Sequence, residues 1–229
     1  MKILTTKTKA VTFAVMATLS MGLTAETQAA EGTLQVKETV KSDYAKTKYP
    51  IVMTHGMFGF TRLGTSAFGM DYFYQVLPDL ARNGATVFAT QVSPLESTEV
   101  RGEQLLAQVE EIRALTGKNK VNLIGHSHGG PTVRYIAAIR PDIVASVTGV
   151  AGTFRGSKVA DDILANQGTS SLADFFGGKL LAPIITWAEG NSSLPINTTA
   201  SLISISEKGS AQFNQKFPTA ALAANCNTS

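Results

Sequence analysis

The stretch Val121-Asn122-Leu123-Ile124-Gly125-His126-Ser127-His128-Gly129-Gly130 constrains the chain more than any other. An apolar run leads into Gly-x-Ser-x-Gly, and residues 131–140 beyond it carry a helical pattern closed by Pro141. Strand, sharp turn and helix in that order put one serine at the apex of the turn, clear of the sheet. A base can reach such a hydroxyl from one side and a carbonyl carbon from the other, which is the arrangement of an activated serine nucleophile. Five-residue patterns with two free positions recur by chance. The flanking strand and helix, and Gly130 where the turn would crowd the sheet, give this one its weight.

A serine that attacks a carbonyl creates an oxyanion, so backbone N–H groups must point where that charge develops. The N–H of His128, next after Ser127, is one candidate. The N–H of Met57 is the other, in the glycine-punctuated loop His55-Gly56-Met57-Phe58-Gly59-Phe60; that loop also reads as a simple strand-ending turn. His126 and His128 are too close to Ser127 in the turn to serve as its base and read as packing and hydrogen-bonding residues, while His55 braces the loop. In the serine, acid, histidine order of such sites a histidine should follow, but none occurs after His128. Asp142, Asp161, Asp162, Asp174, Glu189 and Glu207 follow Ser127 without a histidine to orient, so neither acid nor base is assigned in this chain.

The remaining pattern is that of an α/β chain. Residues 51–54 read as a buried strand, 71–83 as a helix that Pro78 restarts or kinks before Gly84, and 85–92 as a strand. Residues 100–116 are the clearest helix, with Leu105, Leu106, Val109, Ile112 and Leu115 on one face and Gly117 at its end. Residues 120–124 and 143–150 are two more strands, so strand and helix alternate throughout and imply a mostly parallel sheet with helices on both faces. Residues 202–206 read as one more short strand. Residues 172–187 place Leu172, Phe176, Leu180 and Ile184 four apart, interrupted by Gly177-Gly178 and Pro183. They read either as a core-packing helical segment or as a movable apolar cap in a lid-like region of about 170–188.

Length and 44% apolar residues suit one domain. The first 29 residues hold lysines up to Lys9, an apolar stretch to Leu23 and Thr27-Gln28-Ala29 before Ala30, the three parts of a secretory signal. Domain organisation is therefore a signal peptide, 1–29, and a single catalytic-type domain, 30–229. Of the net charge of +3, two charges belong to that leader, leaving no basic run dense enough for a nucleic-acid partner. Cys226 is the sole cysteine, either an inert thiol or half of a bridge to something outside this sequence. Neither phosphate-binding glycine loop occurs, and no zinc set can be completed around His126 and His128.

Three segments together, Tyr49-Pro50-Ile51-Val52 through His55-Gly56-Met57, Glu99-Val100-Arg101-Gly102-Glu103-Gln104-Leu105-Leu106 and Val121 through Pro131, resemble the Pseudomonas-type secreted bacterial triacylglycerol lipases. The likeness runs from about Lys48 to Cys226. It implies an α/β-hydrolase fold, Ser127 as nucleophile, Met57 and His128 as oxyanion donors, and a lid at residues 172–187. It further implies acylglycerol substrates at an oil–water interface, a structural calcium ion, a membrane-bound foldase partner, type II secretion through the periplasm and a monomer. In that family the catalytic aspartate and histidine, the calcium ligands and the second cysteine lie beyond the position matching Cys226. The chain is thus expected to lack the last strands of the fold and to be a very poor catalyst as it stands. A non-catalytic exported lipid- or foldase-binding protein and an esterase for short soluble esters are the alternatives.

Overall fold

The computed structural model describes residues 32–64, 69–165 and 194–219. The leader, the lid-like region, Asp174, Glu189 and Cys226 lie outside the described residues. In chain order the elements are β1 (Thr33–Val36), β2 (Ile51–Thr54), β3 (Arg62–Gly64), β4 (Gly69–Asp71), α1 (Val76–Arg82), β5 (Val87–Thr90) and α2 (Thr98–Thr116). Then come β6 (Val121–His126), α3 (Gly129–Ile139), a 3₁₀ turn (Pro141–Ile143), β7 (Val144–Val150), α4 (Lys158–Ala165), α5 (Thr198–Ile205) and α6 (Glu207–Lys216).

The main sheet has the order β1-β5-β2-β6-β7, with β1 antiparallel to β5 and the other pairings parallel. Every residue of β2 and β5 is buried, as strands covered on both faces require. Alternate residues divide between two cores. Val52 and Phe88 join Leu105, Val109, Ile112, Val133 and Ile136 of α2 and α3. Ile51, Met53, Val87 and Ala89 join Leu77 and Ala81 of α1 on the opposite face. The mostly parallel sheet with helices on both faces is as the alternation implied.

The differences have local causes. The polar lead-in still forms β1, because Thr33 and Gln91 both donate to Gln108 Oε1 and so tie that edge to α2. The helix expected at 71–83 is confined to α1: Asp71 pairs with Arg62 across a hairpin of β3 and β4, and Pro78 falls in the helix's first turn, where its missing N–H is harmless. The apolar face of α2 is rotated from its expected position. Leu115 is 47% exposed, whereas Arg101 and Gln108 are buried. Of residues 202–206, expected as a strand, 202–205 belong to helix α5, and Ser206 is the extended residue that caps α6 by accepting the Gly209 N–H. Their alternating Leu-Ile-Ser-Ile-Ser imitates a strand, but Asn197 caps the helix by accepting from the Ala200 N–H, and Leu202 and Ile205 share its buried face.

Candidate active site

Loops after β2, β5, β6 and β7 converge at the carboxyl ends of the parallel strands, the edge where open α/β sheets hold ligands. Among the described residues four non-glycine residues have left-handed backbones, and three are here: Phe58 at φ 56°, Ser127 at φ 54° and Ala151 at φ 48°. Such conformations cost about 1–2 kcal/mol per residue. They persist only where surrounding contacts force them.

Ser127 is forced by its neighbours. Its N–H donates to Val150 O at 2.9 Å, and its carbonyl accepts from Gly130 N–H at 2.9 Å and Thr153 N–H at 3.4 Å. The turn closes so tightly that a Cβ on Gly125 would lie 2.1 Å from Gly129 O. The loop after β2 approaches equally closely, since a Cβ on Gly56 would lie 2.8 Å from Ser127 Cβ. Met57, next to Gly56, and His128, next to Ser127, therefore bracket one small volume. Among the described residues neither of their N–H groups has a hydrogen-bond partner, and neither does Ser127 Oγ.

The three histidines are held in structural roles. His55 Nε2 faces the Val92 N–H at 3.3 Å and the Gln91 side-chain amide at 3.1 Å, while Gln91 Oε1 accepts from Thr61 N–H. Two donors on Nε2 leave the hydrogen on Nδ1, which donates to Gly56 O at 2.8 Å. His128 is enclosed by Thr98 Oγ1 at 2.9 Å and Ser201 Oγ at 3.4 Å. His126 Nδ1 lies 2.7 Å from the Tyr72 hydroxyl, which accepts the Gly56 N–H at 3.2 Å. Tyr72 thus joins the loop after β2 to the turn at Ser127.

Beneath them lies Arg101, fully buried on α2. It donates to His55 O at 2.6 Å, to Ser93 O and to Thr132 Oγ1 at 3.3 Å, with a longer contact to Gly56 O at 3.4 Å. None of these partners is a carboxylate. Burial pulls its pKa down to about 9, still protonated at neutral pH. Burial first, and then this cation, lower His55 to about 3; the same causes hold His128 well below its ordinary value.

Of the carboxylates after Ser127, Asp142 is bound by Arg140, and Asp161 accepts the Glu207 N–H at the start of α6. Neither contacts a histidine. Tyr72 and Arg101 escaped the sequence reading. Arg101 had a usable signal: it lies one helical turn before Leu105 on the stripe that continues to Val109 and Ile112, where a charge is out of place.

The family profile described as alpha/beta hydrolase fold matches residues 49–187. The chain belongs to the α/β hydrolase family. This α/β hydrolase is 48% identical over 178 residues to a triacylglycerol lipase of Vibrio cholerae, covering 76% of the chain and 56% of that protein. Triacylglycerol lipases of Pseudomonas fragi and Burkholderia plantarii are each 37% identical, covering 77% and 81% of the chain and 60% and 53% of their own lengths. The chain spans a little over half the length of these curated relatives. Among solved structures, the mature Bacillus licheniformis lipase BlEst2 superposes with a TM-score of 0.58 at 20% identity, over 81% of this chain and 64% of that one. That likeness carries the fold alone.

The buried histidines make the hydrolase acid-sensitive. A ring whose folded pKa is depressed takes its proton only on unfolding, so its contribution is intact above about pH 6.5 and is lost as the pH falls toward 3. His55 then costs about 1.4 kcal/mol per pH unit within that window. Between pH 7 and 5, His55 should remove about 2 kcal/mol, read as a fall in the urea midpoint, and His128, also depressed by burial, acts in the same direction. An unchanged midpoint would mean that His55 is protonated in the folded protein.

Proposed function

We propose that this chain carries the nucleophile and oxyanion hole of an exported serine ester hydrolase acting on triacylglycerols. The carrying observation is the strained, tightly enclosed Ser127 flanked by the unpaired N–H groups of Met57 and His128. In this reading Ser127 Oγ bonds to the ester carbonyl carbon, and the two N–H groups receive the charge that moves onto its oxygen. Collapse expels the alcohol and leaves an acyl-enzyme, which water hydrolyses. The Ser127 proton needs an acceptor, and among the described residues Oγ bonds to none. Both steps are therefore slow unless an acid and a histidine join the site.

The relatives named triacylglycerol lipase support the substrate class. The leader supports export through the periplasm, and the family resemblance supports a foldase partner and type II secretion. Calcium has no comparable support: among the described residues no group of three or more His, Cys, Asp or Glu side chains could hold a metal. No step is routed through it.

The test is a chimera in which the downstream segment of the Vibrio cholerae relative follows this chain, assayed on emulsified triolein and on p-nitrophenyl acetate. Faster triolein hydrolysis is expected. A preference for the soluble ester would instead make the protein an esterase. The engagement of all three histidines favours one second reading, a non-catalytic lipid binder: a chimera inert on both esters, whose parent chain still co-sediments with triolein, would establish that reading.

A further inference from the structure

Helix α5 turns serines inward. Ser201 is fully buried, and Ser204, one helical turn further on, is half-buried on the same side. Leu202 and Ile205 pack with Met57 and Phe58 of the loop after β2, so the helix lies against the Ser127 site. Hydroxyls buried there need partners.

Those partners close a circuit. Ser204 Oγ accepts the Thr98 N–H at 3.1 Å, Thr98 Oγ1 lies 2.9 Å from His128 Nε2, and Ser201 Oγ lies 3.4 Å from His128 Nδ1. The bonds thus run from α5 to the start of α2, through the imidazole, and back to α5. Thr98, Ser201 and His128 are all sealed from water, at 1% exposure or less. Burial keeps the imidazole neutral, with one N–H and one lone pair. Two hydroxyls, each able to donate or accept, satisfy it in either tautomer.

We propose that Thr98 and Ser201 are positioning residues that hold the His128 N–H on the developing charge, a role that rests on the oxyanion hole proposed above. The grip on His128 is complete but for that one group. Its carbonyl accepts from Thr132 Oγ1 at 2.8 Å and from the Thr132 N–H at 3.3 Å, and both ring nitrogens are bonded. Among the described residues only its backbone N–H is left free. That N–H shares a peptide plane with the Ser127 carbonyl, which the Gly130 and Thr153 N–H groups hold. The plane is therefore fixed by backbone donors at the serine end and by the anchored ring at the histidine end. A donor fixed in this way stabilises the oxyanion without having to reorganise as the charge forms. Thr98 suits the task because a β-branched side chain is stiff at χ1.

In the chimera, Thr98→Val keeps the shape and removes one hydroxyl, and Ser201→Ala removes the other. Each should lower kcat on p-nitrophenyl acetate, per Ser127 titrated with a phosphonate ester, by about tenfold, with KM changed by less than about twofold. Thr98→Ser restores the hydroxyl and should return kcat to within about twofold of the parent. Phenylboronic acid, whose tetrahedral adduct places an oxygen in the hole, should bind more weakly by the same factor as kcat falls. A purely structural role would reduce the titre of reactive Ser127 but leave kcat per site and boronate affinity unchanged, and that result would overturn the proposal. The chain itself allows a second measurement, because it holds three histidines. Ring nitrogen spectra should show His128 in a single tautomer that Ser201→Ala perturbs, with His55 unmoved. Nitrogen shifts averaged between tautomers in the parent chain would equally overturn the proposal. A parent chimera that neither hydrolyses the ester nor binds the boronate would instead refute the oxyanion hole itself.

Discussion

Ser127→Ala is expected to lower turnover by about 10⁶ in the catalytically complete chimera, with the fold intact. The size follows from the way such sites work: without the hydroxyl no acyl-enzyme forms, and the oxyanion hole alone retains only a small residual rate. A companion variant separates chemistry from strain. Ser127 sits at φ 54°, a conformation glycine adopts freely and alanine does not. Ser127→Gly should be equally inactive yet more stable than Ser127→Ala by about 1 kcal/mol in urea unfolding. Retained triolein hydrolysis in either variant would mean that another hydroxyl attacks. Equal stability of the two would mean that the turn stores no strain at this residue.

The fold was legible because the features that specify it are local and periodic. β2 and β5 are continuous apolar runs, α2 has a Ser97 cap and a left-handed Gly117 stop, and the glycines around Ser127 mark a turn that few other residues can make. What escaped notice depends on distant partners. β1 carries no apolar run and exists because Gln108, on α2, satisfies Thr33 and the backbone of Gln91. Residues 202–206 alternate like a strand, yet the cap at Asn197 and burial against α4 decide for helix as far as Ile205. The support of the site was hidden for the same reason. Ser127, Met57 and His128 are marked by motif, but Tyr72 reaches Gly56 from 16 residues away and Arg101 reaches His55 from 46. No local pattern records those separations.

Arg101→Met should be the most disruptive single change beneath the site. Methionine fills much of the volume but leaves His55 O, Ser93 O and Thr132 Oγ1 without their donor. Each buried acceptor left unpaired costs about 1–3 kcal/mol. Against this, removing a fully buried cation with no carboxylate partner returns part of its desolvation penalty. The acceptors outnumber the single charge, so a net loss of about 3 kcal/mol is expected. Arg101→Lys should recover little, because one ammonium cannot reproduce a planar fork that reaches two loops and α3. In the chimera kcat should fall more than KM rises, since the loop held by Arg101 carries Met57, whose N–H is the proposed oxyanion donor and is needed mainly in the transition state. The pH profile distinguishes this role from simple packing. Arg101 depresses both buried histidines, so its loss should raise their pKa values and flatten the dependence of stability on pH between about 3 and 6.5. An Arg101→Met protein with the parent's acid slope and parent-like amide exchange at Gly56 and Met57 would show that the guanidinium neither sets the charge environment nor holds the loop.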